Sequence, residues 1–208
     1  MCTGVMRFTS LTITASDLER AAAFYEGVLG LDVRRTPGGF EAIVGRTTLV
    51  VLQGATAWGG IHLAFTIPRN RFDEGKTWLA ARTPLSVMDG SDELHLPDAP
   101  WCSRSVYFRG PDGIVLELIA RDNLHNDSTE PFASASLLCV SEIGMAVQDV
   151  RETVARLHAE FGAPPFGSGG DEFAPIGDDD GLFIVVAEGR EWFSAPGSRA
   201  RGVPTSIR

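Results

Sequence analysis

Apolar and polar positions alternate with a period of two at three places in the chain. The stretches are Ser10–Asp17 (SLTITASD), His62–Arg69 (HLAFTIPR) and Glu142–Asp149 (EIGMAVQD). Side chains alternate across a strand, so each stretch has two faces. One face is apolar: Leu11/Ile13/Ala15, Leu63/Phe65/Ile67 and Ile143/Met145/Val147. The other begins with a polar group and continues with small residues: Ser10/Thr12/Thr14, His62/Ala64/Thr66 and Glu142/Gly144/Ala146. A face of that kind leaves room for a ligand beside a metal-binding or catalytic group. Three strands with the same arrangement point to a shared site.

Each strand leads into a stretch of helical periodicity. Ser16 and Glu19 have capping-box spacing, and Asp17 adds negative charge to the first turn. Leu18, Ala21, Ala22, Tyr25, Val28 and Leu29 follow as an apolar stripe that Gly30 closes. The third stretch repeats the plan, with Asp149 and Glu152 at the start, Val150, Val154, Leu157 and Phe161 as the stripe, and Gly162 at the end. The middle helix starts near Asn70 and Asp73 and stops before Pro84.

Short strands follow each helix: Phe40–Val44 and Thr47–Gln53, then Ser105–Phe108 and Ile114–Ile119, then Phe173–Ile176 and Leu182–Ala187. The chain therefore reads as three β-α-β-β-β units near 5–53, 60–121 and 138–208. The first two make a domain over 1–121, a polar linker fills 122–137, and the third unit is a shortened copy. Gly54–Gly60 is a short connector. Asp178-Asp179-Asp180-Gly181 reads as a solvated hairpin turn, since a Ca²⁺ loop needs more ligands at alternating spacing.

Composition narrows the function classes. The net charge is -9 over 208 residues, and Lys76 is the one lysine, which argues against a nucleic-acid partner. No stretch has a signal-peptide core or the ~20 apolar residues that cross a bilayer. Cys2, Cys102 and Cys139 are odd in number and lack metal-type spacing, which points to a reduced, cytoplasmic setting.

Glu117 is the most pointed single residue. It lies in Ile114–Ile119 with Val115 and Ile119 on its own face, and an ionised carboxylate there needs a cation beside it. A metal would serve, as would Arg104 or Arg109. His62 heads the small-residue face of the same unit and is a candidate ligand. His95 sits in a loop that could line a pocket. His125 and His158 receive no role.

These residues resemble a known family. Asp17-Leu18-Glu19-Arg20-Ala21 followed by Phe24–Leu31 (FYEGVLGL) is similar to the opening of vicinal oxygen chelate proteins. That superfamily includes glyoxalase I, fosfomycin and bleomycin resistance proteins and extradiol dioxygenases. Tyr107–Glu117 resembles its closing strand motif, in which the Glu is a metal ligand, and His62-Leu63-Ala64-Phe65 resembles its middle His strand. The likeness spans 5–121, with the third unit as a further copy. It implies an α+β fold of paired β-α-β-β-β modules, in which curved, cup-shaped mixed sheets carry helices on their outer face. The family's first ligand falls at Ser10, a poor donor, whereas Glu142 takes the equivalent place in unit three. If unit three packs beside unit two, the implied ligand set is His62, Glu117 and Glu142; if units one and two pair instead, Ser10 lies near His62 and water or substrate fills the vacant position. Glu117 and Glu142 are the catalytic candidates, and Arg104 and Tyr107 are the substrate contacts.

The resemblance implies a metalloenzyme with Zn²⁺, Ni²⁺, Mn²⁺ or Fe²⁺, acting on a small molecule with vicinal oxygens by lyase, isomerase or dioxygenase chemistry. The alternative is a metal-free drug-binding protein like the bleomycin resistance members, with Phe40, Trp58, Trp101 and Trp192 lining its pocket. An odd number of modules leaves a sheet edge open, so a homodimer is expected.

Overall fold

The three alternating stretches become the strands around which two sheets are built. A computed structural model describes residues 5–208. Module one comprises β1 (Ser10–Ala15), α1 (Leu18–Gly27), β2 (Asp32–Thr36), β3 (Gly39–Val44) and β4 (Thr47–Gln53). Module two comprises β5 (His62–Thr66), α2 (Phe72–Ala80), β6 (Leu94–Leu96), β7 (Ser103–Arg109) and β8 (Val115–Arg121). Module three has β9 (Cys139–Val147), α3 (Val150–Phe161), β10 (Phe173–Asp178) and β11 (Gly181–Ala187), and β12 (Ser206–Ile207) ends the chain. The class is α+β, with mixed sheets.

The modules group in a way that sequence order does not reveal. Strands run β12-β1-β4-β3-β2 in one sheet and β10-β11-β9-β5-β8-β7-β6 in the other. The sequence resemblance thus runs over modules one and two, whereas the central ladder joins modules two and three through antiparallel β5 and β9. Module one keeps a sheet of its own. Its β1 edge is met by β12, with Leu11 opposite Ile207 and Thr12 opposite Ser206, so a segment of the same chain covers part of the edge that the odd module count leaves open.

The apolar faces of both sheets pack into one core. Leu11, Ile13 and Phe40 from the first sheet share it with Leu63, Phe65, Val106, Phe108, Leu116, Leu118 and Ile143 from the second. The ring of Phe24 on α1 stacks on Phe108 of β7, which ties module one to the convex side of the larger sheet. Burying side chains of this kind stabilises by roughly 1.5–3 kcal/mol each. The opposite face of the larger sheet carries a second, smaller apolar cluster that includes Val115, Phe166, Ile184, Val186 and Trp192.

Local signals account for the helix ends. Asp17 rather than Ser16 caps α1, accepting from Arg20 N at 3.0 Å, while the Ser16 N–H and hydroxyl both donate to Asp112. Asp149 caps α3 through Glu152 N, and Gly162 closes it at φ 67°, a left-handed conformation that suits glycine. The α3 stripe differs at its last member. Val150 and Leu157 are buried, but Phe161, the last residue of α3, is 59% exposed, with its ring 6.1 Å from that of Phe183. The polar segment after Arg121 is not a free tether: Asn126, Asp127 and Ser128 hydrogen-bond to Arg69, Asn70 and Arg71 just ahead of α2. Among the described residues no helix is long and apolar enough to cross a membrane.

Candidate functional site

The concave face of the larger sheet is set by the two-residue period. It carries His62, Ala64 and Thr66 from β5, Val115, Glu117, Ile119 and Arg121 from β8, and Glu142, Gly144 and Ala146 from β9. Ladder register brings the polar members together, since Ala64 pairs with Glu117 on one side and with Glu142 on the other. A bulge helps to aim Glu142. Between Ala64 and Phe65 the register slips, so that Phe65 faces Val140, Ser141 is the extra residue, and Thr66 donates to the Ser141 hydroxyl at 2.7 Å.

The result is a compact buried cluster. His62 Nε2 lies 3.4 Å from Glu117 Oε2 and 3.6 Å from Glu142 Oε2. One donor atom from each of the three residues lies within 4.8 Å of the others. Metal–ligand bonds of about 2.0–2.2 Å put donors roughly 3–4 Å apart, which the two His62 separations match, so the set fits a divalent ion with mixed nitrogen and oxygen ligation.

The quasi-symmetry of modules two and three explains why there are three donors. His62 pairs with Val115 and Ala64 with Glu117, while Glu142 pairs with Leu182 and Gly144 with Ile184. His62 therefore corresponds to Glu142, and Glu117 to Ile184. The fourth position is apolar, and Ile184 faces the cavity.

Burial and charge set the protonation of the cluster. His62, Glu117 and Glu142 are 5%, 2% and 3% exposed. Burial by itself lowers the His62 pKa, but hydrogen bonding and charge from Glu117 and Glu142 outweigh it and raise the value to about 9. For Glu117, burial and then the charge of Glu142 push the carboxyl up, against the opposing pull of His62 and the Ser105 hydroxyl. For Glu142 burial acts upward too, but Arg121 and His62 hold the carboxyl below its ordinary range. Two carboxylates in one site are thus driven apart, as in catalytic pairs.

Arg121 is the residue that reading the sequence missed. It is 0% exposed, its Nη2 donates to Glu142 Oε1, and its Nη1 reaches Asp179 Oδ1 at 3.4 Å. Its guanidinium lies 5.8 Å from the Trp101 ring and 5.5 Å from the Phe166 ring. The signal was present, because Arg121 continues the face of Glu117 at a spacing of four. The acidic turn also differs from the expected solvated loop. Asp178 accepts from Met6 N, Asp179 holds Arg121 and Asn123, and Asp180 binds Arg46, so the turn anchors three parts of the chain.

Above the cluster is a cavity of about 370 Å³. Ser103, Ser105 and Tyr107 of β7 form one wall, Trp101, Leu94 and Leu96 extend it, and Ile184 and Phe173 form the other. Residues 188–200 fold over the mouth as a pinned loop, with Gly189 N bonded to Ala200 O and Trp192 N to Ser198 O. Trp192 Nε1 donates to Gly59 O at 2.8 Å, which sets its ring 5.8 Å from the His62 ring. Arg190, Phe193 and Ser194 of this loop also reach the cavity, and none was singled out from the sequence.

Several expected contacts lie elsewhere. Tyr107 lines the cavity, paired in the ladder with Glu117. Burial, followed by the charges of Glu117 and Glu142, raises its phenol well above the ordinary value, so it stays a neutral hydroxyl donor. Arg104 is corrected as a cavity residue: it has the opposite parity on β7, lies 4.1 Å over the Phe72 ring, and binds Asp73 and Glu93. His95 likewise turns away from the cavity that Leu94 and Leu96 line. Among the aromatics, Trp101 and Trp192 line the cavity, while Phe40 is core and Trp58 is 68% exposed beside Gly113. Ser10 belongs to the other sheet, with Thr12, Thr48 and Arg208 around it.

Comparison with known proteins agrees with this architecture. A putative dioxygenase from Bacillus subtilis subsp. subtilis str. 168 superposes with a TM-score of 0.62 at 16% identity, over 96% of this chain and 68% of that one. A V278E mutant of glyoxalase I from Zea mays gives a TM-score of 0.54 at 16% identity, over 97% and 74% of the two chains. These likenesses establish the fold alone. Comparison with curated proteins yields no match. The sequence profile of the Glyoxalase/Bleomycin resistance protein/Dioxygenase superfamily matches residues 7–118, more than half of the chain. With the module architecture in agreement, this protein belongs to that superfamily.

Proposed function

We propose that the cavity of modules two and three is a metal-dependent active site for a small organic molecule bearing two adjacent oxygens, with lyase, isomerase or dioxygenase chemistry. One observation carries this reading: His62, Glu117 and Glu142 converge in the buried floor of a cavity whose fourth equivalent position is the apolar Ile184. Three protein donors with one side open is the pattern of a catalytic rather than a structural metal site. When bound, the ion would supply Lewis acidity toward adjacent substrate oxygens.

The protein groups have separable roles. Glu142 is the firmer ligand, because Arg121 bonds its other oxygen and keeps it ionised and oriented. Among the described residues no arginine holds Glu117, so it is the carboxylate able to take or give a proton at Oε2 beside His62. The Tyr107 hydroxyl offers a hydrogen bond to a substrate oxygen, and the Trp192 ring excludes water from the His62 side.

A second reading has its own support. His62 bridges both carboxylates and Arg121 neutralises one of them, so the cluster is charge-balanced without an ion, as a metal-free binding pocket would need. Metal analysis of purified and metal-loaded protein decides between them. About one tightly held divalent ion per chain, lost in His62→Ala, supports the metalloenzyme. Failure to retain any divalent ion after loading overturns it in favour of the binding protein.

A further inference from the structure

The cavity contains a cation that the proposed metal site does not use. Arg190 reaches the cavity from the covering loop, its guanidinium 5.2 Å from the Phe173 ring. Its backbone is pinned, with its N–H on Ala187 O and its carbonyl accepting from Ala200 N. Its head has no hydrogen-bond or ion-pair partner among the described residues. What sets Arg190 apart is its place, since its head lies in the wall of a cavity whose other lining is largely apolar or aromatic. Arg20, Arg34, Arg46, Arg69 and Arg104 each hold a carboxylate at the surface, and Arg121 is committed to Glu142 and Asp179.

Position gives the unpaired charge a meaning. Phe173 pairs with Val186, which pairs with Ala146, four residues along β9 from Glu142. At ~3.3 Å per residue, Arg190 and Phe173 mark a point about 13 Å along the strand from the carboxylate cluster. Between the two ends the walls are apolar or aromatic, with Ile184, Trp101 and Trp192. A guanidinium held over an aromatic face in such a cavity presents a planar fork that matches a carboxylate.

We propose that the cavity takes an organic acid with an apolar or aryl body, and that Arg190 is the specificity-determining residue that binds its carboxylate at the mouth. This rests on the cavity being the small-molecule site, and it adds an anionic group to the ligand at the end remote from His62, Glu117 and Glu142. The covering loop then has a second role beyond excluding water, since it presents the recognition group.

The test uses 4-phenylbutyrate and its uncharged isostere 4-phenylbutyramide, with binding followed by quenching of tryptophan fluorescence from Trp101 and Trp192. Measurements are made on full-length protein with and without added Zn²⁺. The acid is expected to bind at least about tenfold more tightly than the amide, as a charge-assisted hydrogen bond allows. Arg190→Gln should remove that preference by weakening the acid, and Arg190→Lys should restore part of it. Equal affinity for acid and amide in the unaltered protein overturns the proposal without requiring any variant to fold, and so does an undiminished preference in Arg190→Gln. Zn²⁺ content of the same samples reports separately on the metal reading. A protein that binds no metal yet prefers the acid sustains the Arg190 assignment and overturns only the metalloenzyme.

Discussion

Arg121 and Glu142 meet in the floor of the cavity as a fully buried ion pair, one from the last strand of module two and the other from the first strand of module three. Asp179 supports the guanidinium from the next hairpin, whereas Arg121 Nε has no partner among the described residues. The pair both joins two modules and orients a proposed metal ligand. Removing one member leaves the other charge buried, which is the costly way to break such a contact.

Arg121→Met should accordingly destabilise the fold by about 3–5 kcal/mol in urea unfolding. Arg121→Met combined with Glu142→Gln should recover part of that loss, because no carboxylate is then stranded. Equal stability of the single variant and the unaltered protein would show that water or another cation already compensates Glu142.

The apolar fourth position invites a gain-of-function test. Ile184 stands where a ligand equivalent to Glu117 would be. Ile184→His should tighten Zn²⁺ binding by about tenfold or more in chelator competition, by adding a nitrogen donor to the set. Unchanged affinity would mean that the ion does not sit among His62, Glu117 and Glu142.

The His62 equilibrium predicts how stability of the metal-free protein depends on pH. Its folded pKa of about 9 lies above the ordinary imidazole value. A raised folded value means that the stabilisation is fully present below an unfolded pKa of ~6.5 and is lost as pH rises through the folded one. The stability gap between the protein and His62→Gln should be widest near pH 6 and should shrink by pH 10. A gap that widens with pH would reverse the sign and remove the two carboxylates as its cause. Zn²⁺ binding near neutral pH should also release protons, since the ion and the imidazolium proton compete.

Gly144 tests the packing of Trp192 over the site. A Cβ there would lie 2.6 Å from the Trp192 ring and 2.8 Å from His62 Cβ. Gly144→Ala should shift tryptophan emission and weaken metal binding, because either the indole or the imidazole must move. No change in both readouts would place Trp192 farther from β9.

The α3 stripe supplies a paired control. Leu157 is buried, but Phe161 is largely exposed. Leu157→Asp should cost several kcal/mol and Phe161→Asp less than about 1 kcal/mol in urea unfolding. A large loss at Phe161 would mean that a further partner covers that end of α3.

The division between what was legible in the chain and what was not follows from the range of the interactions. Strand faces and helix ends depend on neighbours within a few residues, so the period of two placed His62, Glu117 and Glu142 on inward faces, and Asp149 and Gly162 announced the ends of α3. The likeness of local motifs to a known superfamily extended this to the module plan. Which modules would share a ladder depends on contacts distant in sequence, and the short Gly54–Gly60 connector was equally compatible with modules one and two. Tertiary pairing of β5 with β9 decided that Glu142, not Ser10, stands beside His62. It also decided that Arg121, the last residue of module two, is a buried partner of Glu142, and that Arg104 binds Asp73 and Glu93 away from the cavity. The covering loop that carries Arg190 and Trp192 has no period of its own. It is held by backbone hydrogen bonds and by contacts with Gly59 and His62, which alternation along a strand cannot encode.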